Sequence, residues 1–138
     1  MKKIVSRTGG IILFILSLAL TVGMKLIFPS CPPHDDGTFM CCHWAEQSVF
    51  GAGLALTAIS LIVLIFGNEK ASIGALLSMI PIAAFAAFTP EILIPLCKMP
   101  MMQCHTAMHP AVIVISCLIA VTAIANATVI IRKREKSR

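Results

Sequence analysis

Cys97-Lys98-Met99-Pro100-Met101-Met102-Gln103-Cys104-His105-Thr106-Ala107-Met108-His109 is a sulfur- and imidazole-rich stretch between two long apolar runs, and it is the second of its kind in the chain. Its approach, Leu93-Ile94-Pro95-Leu96-Cys97, leads to Met102-Gln103-Cys104-His105; earlier, Ile27-Phe28-Pro29-Ser30-Cys31 leads to Met40-Cys41-Cys42-His43. Both copies read apolar-apolar-Pro-x-Cys followed by Met-x-Cys-His. The outer cysteines are eleven residues apart in the first copy and seven in the second, so the copies differ by a four-residue loop deletion. A loop made twice, each time between apolar runs, predicts two tandem helical hairpins.

The surrounding composition fits that prediction. The chain has 138 residues, 58% hydrophobic and 12% charged, with mean hydropathy +0.94. Its apolar residues lie in long blocks instead of recurring every third or fourth position, which points to membrane spans. Spans are expected over about 9–28, 48–66, 71–88 and 110–131. Lys2, Lys3 and Arg7 ahead of the first run resemble the start of a signal peptide, but the run is long and no small-x-small cleavage site precedes Pro29, so it is read as retained. Residues 29–47 read as a polar loop. Gly51, Ala52, Gly53 and Ala55 leave the start of the second span narrow enough for close packing. Pro81 predicts a kink in the third span. Thr89-Pro90-Glu91 is expected to break or bend that helix, and the apolar segment 92–96 to carry it on to the surface. Pro110 stands at a helix-start position, and Asn126 is expected to hydrogen-bond to a neighbouring helix.

Charge sets the orientation. The net charge of +5 raises nucleic acid as a partner, yet nine of the eleven Lys and Arg residues lie at the N-terminus, at Lys70 or in the tail 132–138, where topology explains them. Both termini are therefore expected in the cytoplasm and both Cys/Met/His loops outside it. That outer side holds all four histidines, five of the six cysteines and five of the eight methionines. The expected architecture is all-α: a single polytopic four-helix membrane bundle, with repeat 1 over about 9–67, repeat 2 over about 71–131, and parallel pseudo-two-fold symmetry about the membrane normal. Under the repeat Lys25 matches Glu91. The opposite charges invite an ion pair between spans one and three, against the plainer reading of two snorkelling side chains.

In an oxidising compartment, disulfides are the default for the loop cysteines. The repeat suggests Cys31–Cys42 and Cys97–Cys104, one staple per loop, with Cys41 left over; cross-loop pairing and a vicinal Cys41–Cys42 bond are the alternatives. Beyond the cysteines, thioether and imidazole together suit copper, and Met/His or His/His pairs suit haem iron. The candidate ligands are His43, His105, Met40 and Met102, with His109 as a substitute. The competing reading is interfacial filler and capping.

Four spans with a cysteine pair in each outer loop resemble, in architecture alone, the DsbB type of thiol-disulfide/quinone oxidoreductase; no Cys-x-x-Cys is present. The whole chain, with its four spans, paired Cys loops, Met-x-Cys-His and basic tail, more closely resembles the prokaryotic membrane proteins grouped as domain of unknown function 4418. That resemblance implies a non-enzymatic accessory subunit beside an ABC-type permease in the lipid bilayer. The absence of a catalytic triad, phosphate-binding loop or paired carboxylates agrees with a role other than catalysis. The expected function is binding or handing over copper or haem at the extracytoplasmic face, and Trp44 is read as a depth anchor.

Overall fold

The computed structural model describes residues 2–27, 35–39, 41–66, 69–95 and 104–137, with the backbone alone at 2–7, 69–70 and 104–105. It is all-helical apart from turns and one isolated bridge: α1 (Lys2–Leu26), α2 (Cys41–Phe66), α3 (Glu69–Phe88), a π turn (Cys104–Met108) and α4 (His109–Lys136). Four stretches, Thr8–Leu26, Cys41–Phe66, Ala71–Phe88 and Thr106–Lys136, are long and apolar enough to cross a membrane. Large apolar side chains such as Ile15, Ile65, Leu77 and Val121 point outward, as lipid contact requires.

Each helix packs chiefly on two neighbours. α1 lies against α2 and α4, and α3 lies against α2 and α4, with the within-hairpin contacts α1–α2 and α3–α4 the most extensive. The helices that the repeat makes equivalent, α1 with α3 and α2 with α4, are thus diagonal. Leu13, Leu20 and Met24 of α1, Val49 and Leu56 of α2, Leu76, Met79 and Ala83 of α3, and Val112, Ile119 and Ala123 of α4 form the core.

Small residues set the close crossings. A Cβ on Gly53 would lie 2.7 Å from Thr21 Oγ1 and 3.3 Å from Thr21 Cα, so α1 and α2 touch backbone to backbone there. Gly51, expected to share this role, faces open space. Beside the crossing the Thr21 and Thr57 hydroxyls are 3.4 Å apart, while each donates to its own helix, Thr21 to Ser17 O and Thr57 to Gly53 O. Buried hydroxyls are thereby satisfied without water. At the opposite end, a Cβ on Gly9 would overlap the Asn126 side-chain amide. Asn126 does not bond across helices as expected: its amide donates to Thr122 O on its own helix, and its side chain packs over the bare backbone of Gly9.

The start of α2 and the course of the chain after α3 differ from expectation. α2 begins at Cys41, seven residues before the expected start at 48, because Cys42, Ala45, Glu46 and Val49 fall on one buried face of a continuous helix. Hydropathy reads Cys41 to Gln47 as loop since polar residues share those turns. α3 runs unbroken through Pro81 and ends at Phe88. Thr89 closes the end, its N–H and its hydroxyl both donating to Phe85 O. The chain then folds back instead of continuing: Glu91 has φ 77, Leu93 N–H reaches Phe88 O and Ile94 N–H reaches Thr89 O. The left-handed Glu91 turns the chain out of the helix, as at a helix C-terminus, and Pro90 supplies no N–H for a further turn.

Burial follows the sequence repeat more deeply than the loop motifs do. Six of the eight buried α1 positions, Gly10, Leu13, Ser17, Leu20, Gly23 and Met24, recur sixty-six residues later as Leu76, Met79, Ala83, Ala86, Thr89 and Pro90, all buried. Between α2 and α4 the interval is sixty-three: Ala45, Val49, Gly53, Leu56 and Ser60 recur as Met108, Val112, Ser116, Ile119 and Ala123. Cys42-His43 and Cys104-His105, however, are only sixty-two apart. The π turn between them takes up the difference, since a π turn holds one residue more than an α turn over the same rise.

Candidate functional site

One end of the bundle collects most of the residues singled out from the sequence. Antiparallel neighbours place the C-terminal ends of α1 and α3 beside the N-terminal ends of α2 and α4, and two ion pairs hold them together. Lys25 Nζ is 2.8 Å from Glu46 Oε1, with the Glu46 side chain 5% exposed. The same ammonium stands 5.2 Å from the centre of the Phe50 ring, a favourable cation–π position. In the second hairpin His109 Nε2 is 3.2 Å from Glu91 Oε2.

The expected Lys25–Glu91 pair is therefore replaced by two pairs, one inside each hairpin. The physical reason is the packing order: residues equivalent under the repeat sit on diagonal helices, while Glu46 and His109 are on the neighbours. Glu46 was hidden from sequence reasoning because it lay within the segment read as loop. Its signal was its position four residues after Cys42, on the same helical face.

The two cysteines at the start of α2 divide. Cys42 is buried and Cys41 is exposed. No disulfide is present among the described residues, and Cys31 and Cys97, the expected partners of Cys42 and Cys104, lie outside them. Cys104 opens the π turn. Cys117, within α4, is exposed on the outer face of the bundle.

His43 stacks on Phe39 at 4.3 Å between ring centres and 23° between planes, and meets Trp44 edge-on at 5.7 Å. The imidazole thus sits in an aromatic sleeve at the rim, and Trp44 is 60% exposed, as a residue at a membrane boundary would be. His109 is held by Glu91, so the carboxylate fixes Nε2 and leaves Nδ1 as the other ring nitrogen. His105 belongs to the π turn by its backbone. Met40 and Met102 lie outside the described residues. Among the described residues, no three His, Cys, Asp or Glu side chains converge in a metal-binding group.

Beneath this rim the interior is sulfur-rich. Met24 of α1, Cys42 of α2 and Met108 of the π turn are exposed by 1%, 0% and 2%, and all belong to the one core cluster. Met24 was read from the sequence only as part of a span; its burial at this end is a structural finding.

Four apolar helices with polar, sulfur- and imidazole-bearing residues gathered at one end define a small multi-span membrane protein. Residues 13–129 match the family described as Domain of unknown function (DUF4418), and the chain belongs to that family. Neither a curated protein nor a solved structure matches it.

Proposed function

We propose that this protein binds, or passes on, copper or haem at its Cys/Met/His end, and that this end faces away from the cytoplasm. The observation that carries the reading is the convergence of the α2 and α4 N-termini, bearing His43 and the Cys104-His105 turn, at the same end as the Lys25–Glu46 and Glu91–His109 pairs. Imidazole and thioether are suitable donors to both groups. The orientation rests on the nine basic residues placed toward the other end. The recurrence of buried positions supports two hairpins related by an approximate two-fold axis along the membrane normal, which sets the α2 and α4 starts across the bundle from one another. His43 and His105 are the first ligands on this reading, with Met40 and Met102 next and His109 as substitute.

Purified protein supplemented with copper(II) or haem should come out coloured, with absorption bands and metal content to match. His43→Ala and His105→Ala should each remove most of that colour. A native protein that stays colourless and metal-free, or two variants that keep the native stoichiometry, would overturn the reading and leave the loops as a partner-docking cap.

A further inference from the structure

The other end of the bundle carries charge largely of one sign, and a cavity opens beside it. Among residues 132–138 five are basic and one, Glu135, is acidic. α4 packs antiparallel against α1 and α3, so Lys2, Lys3 and Arg7 at the start of α1, and Glu69-Lys70 at the start of α3, belong to this end. α4 stays helical through Lys136, and its side chains from Ile131 onward are exposed. Between that last stretch and α3 lies a cavity of about 270 Å3 lined by Ile73, Ile131, Arg134 and Glu135. Ile131 and Arg134 are three residues apart on one face of α4, so the wall changes from apolar to cationic within one turn. Ile73 supplies the apolar wall on the α3 side. The Arg134 guanidinium has no ion-pair partner among the described residues, and Glu135, adjacent in sequence, does not face it along the helix.

We propose that this cavity seats an anionic phospholipid of the leaflet that meets this end, its phosphate on Arg134 and the start of an acyl chain along Ile73 and Ile131. Membrane topology explains why cations gather here, but not why one of them lines a cavity with isoleucine walls. The pairing of cation and apolar wall is what selects a lipid. It falls where the apolar run gives way to the basic tail, Ile131 being the last apolar residue before Arg132, and that is the depth of a headgroup. A free phosphate would use Arg134 and leave both isoleucines facing water. The guanidinium suits a phosphodiester because two parallel N–H groups donate to two oxygens at once. The cations around it draw anionic lipid toward the site without touching it. Glu135 acts in the opposite sense and holds the affinity down. This site and the rim histidines lie at opposite ends of the bundle, so it stands whether or not copper or haem binds at the rim.

The test is titration of the full-length protein in detergent with phosphatidylglycerol and, separately, with phosphatidylcholine of the same chains, bound lipid being counted by native mass spectrometry. Native protein should retain phosphatidylglycerol in preference to phosphatidylcholine. Arg134→Gln should weaken phosphatidylglycerol about fivefold, the equivalent of one basic contact at a membrane surface, and leave phosphatidylcholine unchanged. Lys136→Gln removes the same charge from outside the cavity lining and should cost less. Glu135→Gln should tighten binding, and Ile131→Ser should weaken it although no charge is lost. All four positions are exposed, so the variants should keep the native helical circular dichroism. Equal losses for Arg134→Gln and Lys136→Gln would reduce the effect to diffuse charge and overturn the site. Glycerol phosphate binding as tightly as the whole lipid would overturn it in favour of a small-anion site. A native protein that does not prefer phosphatidylglycerol would overturn it outright and return the basic end to its topological role.

Discussion

The two hairpins share an interior and differ at their ends. Six of the eight buried positions of α1 recur as buried positions of α3, and five of the eight buried positions of α2 whose counterparts are described recur in α4. Yet the ion pair that closes the first hairpin has its cation on the ascending helix, as Lys25, and its anion on the descending one, as Glu46. In the second the carboxylate, Glu91, is on the ascending helix and its partner, His109, on the descending one. Close-packed interiors restrict which residues can face inward, so the pattern is held in both halves. At the end of the bundle, water and headgroups tolerate either arrangement, and what is kept is a carboxylate with a nitrogen partner across each hairpin.

The sharpest way to break the comparison is to remove one cation. Lys25→Met takes away one partner of a carboxylate that is 5% exposed. It should cost about 3 kcal/mol, the low end of the range for breaking a buried pair, because Lys25 itself is 40% exposed. Glu91→Ala, at a pair where the carboxylate is 49% exposed, should cost under about 1 kcal/mol. Reversible unfolding in mixed micelles measures both; equal costs would show that the two ends are energetically alike.

A smaller effect distinguishes the α1–α4 crossing from its counterpart. Where α1 has Gly9 against Asn126, the repeat places Ala75 in α3. Gly9→Ala should destabilise by roughly 1–3 kcal/mol through overpacking, and Asn126→Ala in the same chain should recover most of that. Failure of the second change to rescue the first would locate the strain elsewhere. Gly23→Ala should act in the opposite direction: its Cβ meets nothing within 4 Å, so alanine should stabilise by about 0.5–1 kcal/mol through helix propensity. A loss of stability there would mean that the space beside Gly23 is filled in the membrane.

These contrasts show how far the sequence could be read. Four spans, their order, and the break after Phe88 were legible because apolar run length and proline act locally. The early start of α2 was not, since Glu46 and Gln47 look like loop residues until their helical face is known. The partner of Lys25 was obscured by the repeat itself: equivalence in sequence became diagonal placement in space. The π turn left only an indirect trace, a motif interval of sixty-two against a burial interval of sixty-three, and the burial interval needs the fold. Of the candidate ligands, His43 and His109 could be placed in full and His105 by its backbone alone.

The ion pairs also bear on how the chain enters the bilayer. Lys25 and Glu46 belong to the same hairpin, as do Glu91 and His109, and the hairpins have the most extensive internal packing. The first hairpin can therefore neutralise its inward-leaning carboxylate, and seat Gly53 against Thr21, before the second has left the ribosome. Assembly of the bundle is then the docking of two units whose end carboxylates already have partners, with the α1–α4 and α2–α3 seams left to join last.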